Sequence, residues 1–176
     1  MLTLRGDLVR LRALEPEDLD FLFKAENTEQ LWGLSQTQTP FSKHILKHYL
    51  ENAHLDIYEV KQLRLVIETL TKETIGFIDV FDFDPKNKRA GIGILILEPY
   101  HRGKGYGKQA LNLLCNYCFK HLQLHQVYAN IEEENNASIK LFTQQGFVLS
   151  GVKKDWNFTN GTFTNELLYQ YVNNVH

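Results

Sequence analysis

An α/β fold (α+β in the broad sense), with a mixed central sheet of about seven strands and helices on both faces, is what this 176-residue sequence predicts. Three observations predict it. Short runs rich in β-branched and aromatic residues alternate with segments of helical period. After an opening strand and two helices, the order runs strand, strand, strand, helix, strand, helix, strand, strand. A helix that joins two strands of one sheet is the crossover that parallel neighbours need, so one parallel pair is expected across the central helix. No repeat, low-complexity tract or linker interrupts residues 1–176, and a single domain is expected.

Each element has a local reason. "LVRLRAL" (8–14) alternates as a strand does, and "EPEDLDFLFKAEN" (15–27) starts a helix with Pro16 and with acids in the first turn, where the helix dipole favours them. Ser42 can cap a second helix, "KHILKHYLENAH". "LRLVIETL" and "TIGFIDVFDF" are strands around the turn "TKE", and "RAGIGILILE" is a third strand that Pro99 ends. In "GKQALNLLCNYCFKHL" the residues Ala110, Leu111, Leu114, Cys118 and Leu122 recur at helical intervals. "QVYANIEE" is a strand, and "NNASIKLFTQQG" is a short helix with Gly146 as its C-cap. The two closing strands flank Asn160-Gly161, a hairpin signal.

Composition narrows the function. Hydrophobic residues make up 43% and charged residues 23%, as in soluble globular proteins. A net charge of −2 argues against a nucleic acid partner, so an anionic ligand needs a local patch. The opening residues carry no signal-peptide apolar run and no stretch is long enough to span a membrane, so a cytoplasmic protein without a membrane partner is expected. Cys115 and Cys118 have C-x-x-C spacing but lie within the helical pattern, with no second cluster to complete a zinc site. His44 and His48 lack the glutamate of a zinc-protease motif, and no metal is expected.

The chemistry concentrates in "RGKGYGK". Gly103, Gly105 and Gly107 alternate with Lys104 and Tyr106 between Arg102 and Lys108 at the start of the central helix. Glycines there bare backbone N–H groups that have no intrahelical partner, and the helix dipole adds positive field. Such a turn either seats a phosphate or is a tight strand-to-helix connection alone; three cations beside it favour the anion. A Walker loop needs Ser or Thr after its Lys, and Gln109 stands there. Gly91 and Gly93 form a G-x-G inside a strand, where a dinucleotide fingerprint does not belong.

"RGKGYG" resembles the pyrophosphate loop of the GNAT N-acetyltransferases, an Arg or Gln followed three and five residues later by small residues. Asn135, Ser138, Phe142, Gly146 and Phe147 resemble the family's downstream segment in spacing and type, and the resemblance covers residues 75–147. It is similar among subgroups to the ribosomal-protein N-terminal and the spermidine acetyltransferases. The resemblance implies acetyl-CoA as co-substrate, held in a V-shaped opening between the fourth and fifth strands. Arg102, Gly103, Lys104, Gly105, Tyr106, Gly107 and Lys108 would hold its pyrophosphate. Leu95, Ile96 and Leu97 would pair with the pantetheine arm, and Asn135 and Phe142 would adjoin it. Gly91 and Gly93 either bend the fourth strand or pack closely against the central helix. A homodimer through the last strands is a further expectation.

The implied reaction is direct attack of a primary amine (a protein N-terminus, a polyamine or a small amine) on the thioester. A lysine-like amine of pKa near 10.4 is unprotonated in only about one molecule in 2,500 at pH 7, a deficit of about 4.6 kcal/mol. A base or desolvation must offset it. The family's usual base position is Gly91 here, and its usual acid position is Phe142, which has no proton to give. Asp79, Tyr100 and Ser138 are the substitutes, with Asp82 and Tyr106 beside them, and Glu132, Glu133 and Glu134 can attract a cation. A catalytically silent acyl-CoA-binding sensor or partner protein is the alternative these two departures raise.

Overall fold

A computed structural model describes residues 2–174. Seven strands form one sheet: β1 (Val9–Ala13), β2 (Leu63–Thr69), β3 (Thr74–Asp84), β4 (Arg89–Ile96), β5 (Gln126–Glu132), β6 (Val148–Thr159) and β7 (Thr162–Val172). Their order is β1-β2-β3-β4-β5-β7-β6, antiparallel throughout except for β4 against β5. The expected parallel pair is therefore present, and the helix that crosses between its strands is α5 (Tyr106–Lys120). The other helices are α1 (Leu19–Glu26), α2 (Trp32–Ser35), α3 (Lys43–Glu51), α4 (Ile57–Val60) and α6 (Asn136–Gln145). None is long and apolar enough to cross a membrane.

The alternation of each strand sorts its side chains to two faces. Leu65, Ile67, Ile78, Val80, Ala90 and Ile92 pack with Ala110, Leu111, Leu114 and Cys118 of α5 and with Phe142 of α6. On the opposite face, Val66 and Phe77 pack with Leu22 and Ala25 of α1 and Leu46 of α3. Both cysteines belong to the α5 core and are free. Asn160 and Gly161, both at positive φ, close the β6–β7 hairpin where the sequence placed it.

Two element boundaries depart from the sequence reading by more than two residues. The first helix opens as a 3-10 turn over Pro16–Asp18 before α1, and the second ends at Glu51 rather than His54. The one-turn helices α2 and α4 carry no full period for a hydrophobic pattern to reveal.

Candidate active site

Parallel pairing of β4 with β5 holds over only three residue pairs, Arg89↔Gln126, Ala90↔Val127 and Gly91↔Tyr128. Beyond Gly91 the strands part, while β4 stays paired to β3 up to Gly76↔Ile96. Along an antiparallel strand, alternate residues turn their main-chain groups to opposite neighbours. The Leu97 amide donates to Ile75 O of the β3 side at 3.0 Å, so Ile92, Ile94 and Ile96 turn theirs toward the gap. Of the three residues expected to line the pantetheine, Ile96 faces the gap, whereas Leu97 gives its amide to Ile75 and Leu95 turns the same way. Arg102 Nη2 donates to the Ile96 carbonyl at 3.0 Å, tying the loop to the strand end.

The loop itself has the geometry its glycines suggest. Gly103 and Gly105 lie at φ 73° and 84°, where a side chain is strained, and Gly105 is the N-cap of α5 without offering a side-chain acceptor. The first-turn amides of α5 are thus left for a ligand. No atom lies within 4 Å of a Cβ built on Gly103. A Cβ on Gly107 would meet Leu141 and Ile94 only at ordinary contact distances, so neither space nor backbone demands glycine there. Lys104 and Lys108 flank this turn, and Tyr106 packs against the core.

A cavity of ≈ 140 Å³ fills the fork. Ile92, Gly93 and Ile94 form one wall, and Ala129, Asn130, Ile131 and Glu132 the other. Asn135, Ser138 and Phe142 of the α6 segment close one side, Gly33, Leu34 and Gln36 of the α2 segment another, and Glu166 of β7 completes it. Asn135 Oδ1 accepts the Ser138 amide at 3.2 Å, so it caps α6 as its position predicted. Phe142 is buried and meets Phe147 edge-on at 4.9 Å, presenting an apolar wall where a hydroxyl was expected in relatives.

The substitute acid–base residues fare differently. Ser138 lines the cavity. Tyr100 does not; its ring lies exposed against His101. Asp79 faces Gly93 across the sheet, but Arg64 holds both its oxygens at 2.7 and 3.1 Å and reaches Glu26 at 2.7 Å. Burial alone would lower the Arg64 guanidinium, and the facing carboxylates more than reverse it. Asp79 is thereby committed as an ion-pair partner. Asp82 sits at positive φ in a bulge of β3, outside the cavity lining.

Sequence reasoning did not find Phe81, whose ring lies over Gly91 and meets Tyr128 edge-on at 5.9 Å. It also missed Arg64, Gln36 and Asn157, which the fold brings together from distant segments. Neither cysteine is a nucleophile here: burial pushes the Cys118 thiol up to about 12 and Cys115 well above its ordinary value. An acyl-cysteine intermediate has no thiolate to form on.

Comparison with known proteins agrees with this geometry. A spermidine N(1)-acetyltransferase of Vibrio cholerae is 29% identical over 87% of this chain and 86% of its own length. An uncharacterized N-acetyltransferase, p20, of Bacillus licheniformis is 30% identical over 92% of this chain and 90% of its own. The crystal structure of the Vibrio cholerae spermidine N-acetyltransferase with CoA and spermine superposes with a TM-score of 0.85 at 26% identity, covering 95% of this chain and 96% of that one. The acetyltransferase (GNAT) domain model matches residues 9–148, and the chain belongs to the GNAT family of acetyl-CoA-dependent N-acetyltransferases.

Proposed function

We propose that the acceptor is a cationic primary amine of the polyamine class, acetylated by direct attack on acetyl-CoA in a ternary complex. The observation that carries this is the lining of the forked cavity. It holds two carboxylates, Glu132 and Glu166, against an apolar wall of Ile94 and Phe142. The nearby cation, Lys153, is spent on Glu166 at 2.9 Å. A polyamine offers a positive end for the carboxylates and a methylene chain for the wall. The similarity to spermidine acetyltransferases supports the same class. Self-association fits as well, since β6 is a sheet edge with Val148, Val152, Trp156 and Phe158 exposed, and one neighbour is a dodecamer.

Release of free CoA thiol from acetyl-CoA, followed across polyamines, peptides with free N-termini and neutral amines, tests the reading. Turnover is expected with spermidine or spermine above the others. Preference for a peptide N-terminus or a neutral amine would overturn it.

A further inference from the structure

Gly91 and Phe142 leave the reaction without its expected base and acid, and Arg64 removes Asp79 from the candidates. The lining of the cavity then narrows the choice. Asn130, Asn135, Ser138 and Gln36 are not bases at neutral pH, and of the two carboxylates Glu166 is ion-paired to Lys153. We propose that Glu132 is the general base, acting from β5 on the opposite side of the fork from the vacant position on β4. The assignment rests on the chain's activity as an amine acetyltransferase.

Three features support it. Strand alternation puts Glu132 on the face of Tyr128 and Asn130, while Val127, Ala129 and Ile131 are buried in the α5 core. Glu132 is the last residue of β5, still paired to β7 but beyond the point where β4 and β5 part, and it lines the cavity on the side that β4 leaves open. It is also held. Buried Asn157 donates to Glu132 Oε1 at 3.4 Å and accepts from Gln36 Nε2 at 2.9 Å, linking the base to the α2 segment that closes the cavity. Glu132 makes no ion pair among the described residues. The charged groups nearest it in the sheet are Glu166, directly opposite on β7, and Lys153 of β6, which neutralises Glu166.

In the step itself, the carboxylate takes a proton from the ammonium, directly or through one water, and releases it to solvent. The free amine's lone pair forms the N–C bond in a tetrahedral adduct, and the C–S bond breaks as that adduct collapses. Its second proton leaves with collapse of the adduct, and the CoA thiolate takes up a proton to become the thiol. The sum is one ammonium and one acetyl thioester giving one amide, one thiol and one proton.

The test is steady-state kinetics of Glu132→Gln and Glu132→Asp with a polyamine acceptor. A general base contributes about 10²–10⁴-fold, so Glu132→Gln is expected to lose at least about 100-fold in kcat with KM for acetyl-CoA unchanged. Its deficit should shrink as pH rises toward the amine's own pKa, because free amine then forms without help. Glu132→Asp should recover part of the rate. A rise in amine KM alone, or a deficit independent of pH, would overturn the assignment. So would wild-type rates in Glu132→Gln. No turnover by the wild-type protein on any amine would instead remove the acetyltransferase reading beneath it, and the assignment with it.

Discussion

The ring of Phe81 occupies the space that a side chain on Gly91 would need: a Cβ built there would stand 2.2 Å from Phe81 Cε2 and 2.3 Å from Cζ. The two residues are directly opposite in the β3–β4 ladder, and β3 bulges immediately after Phe81. Glycine at 91 is thus half of a complementary pair, and the ring is the other half. Restoring a side chain at 91 must displace the ring from Tyr128. Gly91→Ala is expected to cost about 1–3 kcal/mol, the usual penalty for overpacking. Phe81→Ala combined with Gly91→Ala should cost less than the two changes summed, by at least about 0.5 kcal/mol. Denaturant unfolding of the four proteins measures the coupling; simple additivity would show that the ring moves freely.

Asp79 stands in the same ladder, opposite Gly93, yet its chemistry is set by Arg64. Asp79→Asn removes a charge-assisted pair from a guanidinium that still holds Glu26. A stability loss of about 2 kcal/mol is expected, with kcat within about threefold of wild type and an unchanged pH profile. A collapse of kcat at intact stability would reinstate Asp79 as the base.

Acid should find a second weak point at the sheet edge. Burial alone would raise the carboxyls of Asp18 and Glu68, but hydrogen bonds from Arg12, joined at Glu68 by Arg10, hold both below their ordinary values. A carboxylate depressed in the folded state adds stability above its unfolded pKa, and that stability is lost as pH falls through the folded one. The thermal midpoint is therefore expected to be level above about pH 5 and to fall below about pH 4. Arg12→Met, which leaves buried Asp18 without its cation and Glu68 with Arg10 alone, should lower stability by about 3 kcal/mol at pH 7 and flatten the acid slope. An acid slope unchanged in that variant would place the sensitive carboxylates elsewhere.

What could be read beforehand divides along physical lines. The loop at 102–108 and the Asn135 cap were legible because a positive φ and a capping oxygen are demands of the local backbone, met by one residue type at one position. The crossover at α5 followed from element order alone. Pairings across the sheet were not legible. Arg64 reads as an ordinary polar residue of an alternating strand, and its partners Glu26 and Asp79 lie 38 and 15 residues away. Glu132 could be told from Glu133 and Glu134 only by extending the alternation of Val127, Ala129 and Ile131 one step further. Gln36 and Asn157, separated by 121 residues, meet only because the β6 bulge beside Asp155 and the left-handed end of α2 bring them together.

Phe142 poses the last test, because it puts a ring where a proton donor would be useful. Its edge-on contact with Phe147 and its burial fix the ring, while its face still lines the cavity. Phe142→Tyr adds one hydroxyl at the ring's tip with little other change in shape. The departing thiolate has a pKa of about 8.5 by analogy with cysteine, so it leaves tolerably without a donor. Deprotonation of the amine, short by about 4.6 kcal/mol at pH 7, is the larger obstacle. Phe142→Tyr is accordingly expected to change kcat by less than about tenfold, against the hundredfold or more expected for loss of a general base. A rate gain well above tenfold would show that protonation of the sulfur, and not removal of the amine's proton, limits this enzyme.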